Sequence, residues 1–204
     1  MFPWTFIEIL AVIGNLAYTI GMAWERRSGW LFGIAASALS VALFLHQQLP
    51  GQVVLSAYYV AMGVYGWLTW GKGAEQLPIR QRELLFHLVL LGVVGLLTLM
   101  VGRGLERFLD SARPYEDAFV TVLSLFATWM MARKVLENWV YWIVADAVGV
   151  HLYLTSGLTW YALLFVVYIG LSIAGWWRWT RTWRDQRRTN GVAVTRPSTV
   201  DRSQ

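Results

Sequence analysis

Seven stretches of this chain are too apolar and too long to sit as exposed elements of a water-soluble fold. They run Phe2–Ala23, Trp30–Leu45, Val53–Trp70, Leu84–Val101, Ala118–Met131, Trp139–Leu154 and Trp160–Trp177. A bilayer core takes about 20 residues of helix, and the shorter stretches reach that length once flanking Trp, Gln and Thr are counted. The sequence therefore predicts an all-α integral membrane protein with seven transmembrane helices. Only 14% of its residues are charged, against about 25% in an ordinary soluble domain. The same composition argues against disorder over most of the chain. No basic residue precedes Arg26, so the first stretch is expected to be a span and not a cleaved signal peptide. Thirteen Trp residues suggest aromatic belts at the two lipid–water interfaces. The absence of Cys excludes disulfides and Cys-ligated metals or clusters. The three His residues are scattered, so no metal and no cofactor is expected.

With seven spans, the loops alternate between two sides. One side holds the N-terminus and the loops near residues 46–52, 102–117 and 155–159, whose only basic residues are Arg103, Arg107 and Arg113. The other side holds Arg26, Arg27, Lys72, Arg80, Arg82, Arg133, Lys134, Arg178 and the tail, giving 14 of the 17 basic residues. Cytoplasmic loops carry the excess of Lys and Arg. The expected topology is a multi-pass membrane protein with its N-terminus outside and its C-terminus in the cytoplasm. The tail, residues 180–204, is polar and Arg-rich, and is expected to leave the membrane and fray. Its arginines suit an anionic lipid leaflet better than a nucleic acid.

Residues 8–70 align with residues 117–179 without a gap, at a constant offset of 109, with 17 of 63 positions identical. Trp30 falls on Trp139, Ile34 on Ile143, Tyr59 on Tyr168, Gly66 on Gly175, Trp67 on Trp176 and Trp70 on Trp179. Apolar composition alone does not readily align three Trp, a Tyr and a Gly. The chain thus divides into a three-helix repeat over 1–70, a linking fourth helix with its loops over 71–116, a second three-helix repeat over 117–179, and the basic tail. Three spans are an odd number, so the single linking helix is what makes the two repeats parallel. Parallel repeats occur in transporters, with substrate sites near the midplane between them.

Asp146 lies seven residues into the sixth helix, roughly 10 Å along its axis. A carboxylate at that depth is costly and faces a cavity or a partner. Trp139, Trp142, Asp146 and Gly149 share one helix face by spacing, which suits an aromatic, possibly cationic ligand. As a belt residue, Trp139 would instead sit at the cytoplasmic interface. Asn15 lies at a similar depth in the first helix. Thr121, Ser124 and Thr128 form a polar stripe on the fifth, a pattern that also serves close helix packing. Ser56, Tyr59 and Tyr168 offer hydroxyls from the third and seventh helices. Ser37 occupies the position equivalent to Asp146, so the halves share a scaffold and differ in chemistry. His151 is five residues beyond Asp146 and points elsewhere, and no chain of acids suggests a proton relay. No Walker A loop, nucleophile elbow or HExxH motif occurs, so neither ATP-driven pumping nor an integral-membrane enzyme is expected.

The segments GWLFGI at 29–34, YYVAMGVYGWLTW at 58–70, ENWVYWIVAD at 137–146 and GLTWYALLFVVYIGLSIAGWWRW at 157–179 resemble the PnuC family of bacterial vitamin transporters, best known for nicotinamide riboside. The third contains Trp-x-x-Trp-x-x-x-Asp, similar to the family's signature with Asn in the last place. The resemblance covers about residues 4–179. It implies a three-plus-one-plus-three fold like full-length SWEET sugar transporters, a homotrimer, and facilitated diffusion with trapping of the vitamin by a separate cytoplasmic kinase. It also implies that Trp139, Trp142 and Asp146 contact the substrate. Members taking nicotinamide riboside often carry Gln in the third helix, where Gln52 and Ser56 are the nearest candidates. Relatives carry thiamine or riboflavin. An acidic residue favours the cationic vitamins, nicotinamide riboside and thiamine, over neutral riboflavin. Ion-coupled symport, with Asp146 as the coupling site, is the other transport reading.

The charge asymmetry makes a direct prediction. A reporter fused to the C-terminus should be active only if it works in the cytoplasm; activity confined to a periplasmic reporter overturns the assigned orientation.

Overall fold

The computed structural model describes residues 2–46, 50–71, 77–109, 113–157 and 159–194. Lys72, Arg196 and Arg202, counted above on the basic side, lie outside the described residues. Among the described residues seven helices make up the fold: α1 (Phe2–Ala23), α2 (Gly29–His46), α3 (Pro50–Thr69), α4 (Leu84–Leu109), α5 (Pro114–Ala132), α6 (Asn138–Thr155) and α7 (Thr159–Val194). These are the seven spans read from the sequence, with α4 extended at its end and α5 at its start. Pro114 opens α5, and Glu116 and Asp117 in its first turn complement the positive end of the helix dipole.

By length and hydropathy α1, α2, α4 and α7 meet the requirement for a membrane span outright. The less hydropathic α3, α5 and α6 carry Tyr59, the Thr121–Ser124–Thr128 stripe and Asp146. Their lower hydropathy therefore reflects polar residues that face inward, away from lipid.

Helix α2 packs between α1 and α3, and α6 packs between α5 and α7. The two groups meet through α1 against α7 and α3 against α5, while α4 packs on α5. Exchanging the repeats turns the first of those contacts into the second. The duplication seen in the sequence is thus preserved in the packing.

The main core lies at one end of the bundle. Trp30, Trp70, Trp139 and Trp179 are each no more than 1% exposed. Trp30 meets Trp70 edge-on at 5.5 Å and 90°, and the equivalent pair Trp139–Trp179 does so at 5.4 Å and 89°. Trp70 and Trp179 meet each other at 5.8 Å. The indole of Trp70 donates to the Ala132 carbonyl at 3.2 Å, and that of Trp179 to the Met22 carbonyl at 3.0 Å. Both bonds cross from one repeat to the other. The expectation that the Trp load marks interfacial belts holds only for exposed rings such as Trp24, Trp160 and Trp177. Trp70 and Trp179 bury their rings against each other and place their N–H groups on the opposite repeat, while Trp30 and Trp139 pack on Gly66 and Gly175 of their own repeats.

Helices α1 and α5 end in the same motif at equivalent residues. Glu25 and Lys134 have φ of 54° and 50°. Glu25 donates its N–H to Met22 and Arg26 to Gly21, while Lys134 donates to Met131 and Val135 to Met130. This is a Schellman closure with a charged residue where glycine is usual, at a cost of roughly 1–2 kcal/mol for each left-handed residue. The segment between α3 and α4 covers this end. Arg80 pairs with the α5–α6 turn through its N–H to the Lys134 carbonyl at 2.9 Å and its carbonyl from the Leu136 N–H at 2.8 Å.

Helix α7 departs from expectation. The tail predicted to fray from about Thr180 is helical through Val194. Its 36 residues span about 54 Å, beyond the roughly 30 Å of a bilayer core. Neither Gly nor Pro occurs between Trp176 and Asn190. Arg181 lies over Trp177 at 4.6 Å and Arg187 over Trp183 at 5.1 Å, one turn apart in each case. Gln186 accepts the Ile79 N–H at 3.1 Å, tying the extension to the segment over the core.

An added Cβ at Gly175 would stand 2.6 Å from the Trp139 ring, and one at the equivalent Gly66 would collide with Trp30. Gly175→Ala and Gly66→Ala should each destabilise the folded protein by about 1–3 kcal/mol. A Cβ at Gly170 meets nothing within 4 Å, and its repeat equivalent is already Ala61. Gly170→Ala should therefore leave thermal stability unchanged or slightly raised. Thermal unfolding in detergent separates the two outcomes.

Candidate functional site

A cavity of about 330 Å³ lies between the two three-helix groups. Seven repeat-equivalent pairs line it from both halves: Asn15 and Ser124, Thr19 and Thr128, Trp30 and Trp139, Gly33 and Trp142, Ser37 and Asp146, Tyr59 and Tyr168, Gly63 and Ser172. Helix α4 contributes no lining residue. The cavity is therefore built on the relation between the repeats. Gln52 and Asp117, in the first turns of α3 and α5, and Tyr153, near the end of α6, line it toward one end of the bundle. Met131, Trp30 and Trp139 line it toward the tryptophan core at the other.

Where the pairs differ, volume is exchanged between helices. An added Cβ at Gly33 would stand 2.7 Å from the Tyr18 ring. In the second half the equivalent of Gly33 is Trp142 and the equivalent of Tyr18 is Ala127. One half thus projects an aromatic ring from its first helix and the other from its second. The two walls of the cavity share a backbone plan and present different chemistry.

The sequence-derived candidates Trp139, Trp142, Asp146, Asn15, Tyr59, Tyr168 and Ser124 all line the cavity. Ser56 does not; it is 5% exposed and packs outside the lining. Gly149, placed on the same face as Asp146 by spacing, abuts the Phe165 ring, and Phe165 takes its place in the wall. Thr121 and Thr128 also line it, with the Thr128 hydroxyl donating to the Ser124 carbonyl at 2.8 Å. Tyr18, Trp30, Ser172 and Phe165 were not singled out. The repeat carried the signal for Trp30, the partner of Trp139, whereas nothing in the spacing of Phe165 marked it.

Trp139 does not offer a free stacking face. Its ring is fully buried, edge-on to Trp179 and against Gly175. What it can offer is an edge. The indole N–H groups of Trp30, Trp139 and Trp142 are buried without a partner among the described residues. Buried polar groups are nearly always hydrogen-bonded, so three unpaired donors on one cavity are a place for acceptors of a bound molecule. The Asp146 residue is 4% exposed, and its carboxylate makes no hydrogen bond or ion pair with any described residue. The charged lining residues are Asp146 and Asp117, both acidic, with no Lys or Arg among them. No cluster of His, Cys, Asp or Glu that would hold a metal occurs among the described residues. The arrangement suits a flat polar molecule with acceptor atoms, hydroxyls and either neutral or positive charge.

Comparison with known proteins agrees with this geometry. The chain is 26% identical to the nicotinamide riboside transporter PnuC of Escherichia coli, across 92% of this chain and 88% of that protein. It is 27% identical to the riboflavin/roseoflavin transporter RibM of Streptomyces davaonensis, across 86% of this chain and 87% of that protein. The fold matches the crystal structure of the vitamin B3 transporter PnuC with a TM-score of 0.70 at 21% identity, over 89% of this chain and 83% of that one. The family model described as nicotinamide mononucleotide transporter matches residues 5–181, nearly the whole seven-helix body, and the chain belongs to that family.

Proposed function

We propose that this protein carries nicotinamide riboside across the bacterial inner membrane by facilitated diffusion with alternating access. The observation that carries the reading is the sign of the cavity. Its lining holds two acids, Asp146 and Asp117, and no Lys or Arg among the described residues. A cationic pyridinium nucleoside is complementary to that field. A phosphomonoester is not, because burying its charge requires basic partners. The reading therefore takes the nucleoside and not the nucleotide of the family's description. Trp142 and Tyr59 supply aromatic surface for the ring. The indole donors of Trp30, Trp139 and Trp142 supply partners for acceptor atoms, and Asn15, Ser124 and Tyr168 for the sugar. Phosphorylation of the vitamin by a cytoplasmic kinase traps it and keeps its gradient inward.

The wider arrangement belongs to the same reading. The N-terminus faces outward, the protein assembles as a homotrimer, and the two repeats move as in a SWEET-like carrier. Helix α4 packs on α5 and exposes Leu85, Leu88, Leu96 and Leu99, which suits lipid and neighbouring protomers. The second reading is riboflavin, favoured by the similarity to a riboflavin/roseoflavin transporter at nearly the same identity as to PnuC.

Two measurements test these statements. Asp146→Asn keeps the size and one acceptor oxygen and removes the charge. Its affinity for nicotinamide riboside should fall by about ten- to hundredfold, as losing a charge-assisted contact worth about 1–3 kcal/mol implies, and for riboflavin much less. Equal tolerance of the change for both vitamins overturns the charge argument. Trp142→Ala should weaken binding by a similar factor while the protein stays folded. In vesicles lacking any trapping enzyme, uptake should stop when inside and outside concentrations are equal. Accumulation beyond that point, driven by an imposed proton or sodium gradient, shows symport instead.

A further inference from the structure

The closed end of the cavity carries an ion pair that neither the family's description nor the substrate site accounts for. Lys134 Nζ and Glu25 Oε2 are 3.0 Å apart. The two residues are separated by 109 positions, the offset of the repeat, so they are equivalents of one another. Each is the left-handed residue that ends the first helix of its repeat. A symmetric bundle would place two like residues face to face here. This chain places opposite charges. Their side chains are 2% and 17% exposed, and the Lys134 ammonium also lies 4.8 Å from the centre of the Trp70 ring. The Trp70 and Trp179 bonds to the opposite repeat lie in the same layer.

We infer that Glu25 and Lys134 are the latch of the transport path, the charge pair that must part for the end of the cavity behind Trp30 and Trp139 to open. Alternating access requires the two repeats to separate at this end and close at the other. The latch joins the α1–α2 turn to the α5–α6 turn, one from each repeat. The α5–α6 turn is further held by its backbone pairing with Arg80, and the α1–α2 turn by the Arg27 Nε bond to the Trp67 carbonyl at 2.6 Å within its own repeat. The α1–α2 turn is thus fixed within its own repeat and the α5–α6 turn to the linking segment, whose Ile79 is tied to α7 through Gln186, and the side-chain ion pair is the contact between the two turns that an opening motion breaks. A buried ion pair is a poor source of net stability but costs a great deal to leave half-made. That property suits a contact that holds one state and releases both charges to water in the other.

The inference rests on the transporter reading, so its test does not use the substrate. The chain has no Cys, and Ser172, which lines the cavity and is 2% exposed, becomes a single reporter as Ser172→Cys. A membrane-impermeant maleimide is applied to one face of sealed vesicles at a time, with Arg184→Cys on the exposed α7 extension marking the latch face. In the parent, labelling of the reporter from that face should be slow. Glu25→Gln leaves a buried ammonium unpaired and should speed it by roughly tenfold or more. Lys134→Met leaves a carboxylate that water already reaches and should speed it less. The exchanged pair Glu25→Lys with Lys134→Glu should return the rate to within about threefold of the parent, as a double-mutant cycle requires of a direct contact. Labelling of the Glu25→Gln protein at the parental rate overturns the inference, as does an exchanged pair as fast as that variant. An equal rise from both faces also overturns it, because that is general loosening. Should Glu25→Gln fail to assemble, Glu25→Asp, shorter by one methylene, is read by the same criteria. A chain that fails to carry nicotinamide riboside but shows this labelling pattern refutes the substrate and keeps the latch.

Discussion

The packing of Trp30 and Trp70 against Trp139 and Trp179 is the contact on which the rest of this structure depends. A membrane interior supplies no hydrophobic drive between helices, so close packing and interhelical hydrogen bonds must hold them together. These four rings supply both. Their edge-to-face geometry, at 5.4 and 5.5 Å within each repeat, is the favoured arrangement for aromatic pairs. The bonds from Trp70 and Trp179 to carbonyls of the opposite repeat use groups at helix ends, and the Met22 carbonyl shares its acceptor capacity with the Glu25 N–H. The rings close one end of the bundle, and the cavity lies between that layer and the opposite end, where Tyr161 of α7 donates to Glu8 of α1 at 3.3 Å.

That layer also explains why glycine occurs where it does. Gly66 and Gly175 are kept free of side chains so that Trp30 and Trp139 can lie on the backbone of the neighbouring helix. The sequence alignment at offset 109 recovers both ends of each contact, Trp with Trp and Gly with Gly. The repeat is therefore most strictly kept where it performs packing. In the cavity Thr19 and Thr128, Trp30 and Trp139, and Tyr59 and Tyr168 are kept, while Gly33 opposes Trp142 and Ser37 opposes Asp146. A shared frame with a few exchanged side chains is what a duplicated scaffold needs to bind a molecule that lacks two-fold symmetry.

Much of this was legible in the sequence, for physical reasons. Seven helices follow from apolar length, because a bilayer imposes a fixed span on any helix that crosses it. Asp146 could be placed in the cavity from its depth alone, because an isolated carboxylate has few other tolerable positions in a membrane. The stripe of Thr121, Ser124 and Thr128 was ambiguous, since a hydroxyl that can bond back to its own helix is tolerated on either a packed or a wet face; the structure puts it on the cavity. Ser56, one turn from Tyr59, is likewise a small polar residue tolerated on either face, and it lies outside the lining. The extent of α7 was missed because charge was read as fraying, although Arg is a good helix former and its neighbours Trp177 and Trp183 hold it in place. The pairing of Glu25 with Lys134 was present in the alignment as a mismatch and carried no signal until their φ angles and distance were known.

The distribution of charge along the axis has a consequence for what can pass. The open end and the middle of the cavity carry Asp117 and Asp146, while the closed end carries Lys134, already neutralised by Glu25. On the proposed reading, a cation entering passes Asp117 and then Asp146 before it reaches the paired Glu25 and Lys134. Were Lys134 unpaired, it would repel that cation from the path beyond the tryptophans. Pairing it with Glu25 removes the repulsion while keeping the contact that closes the end. The pair that joins the two repeats at this end therefore adds no net charge of its own behind Trp30 and Trp139.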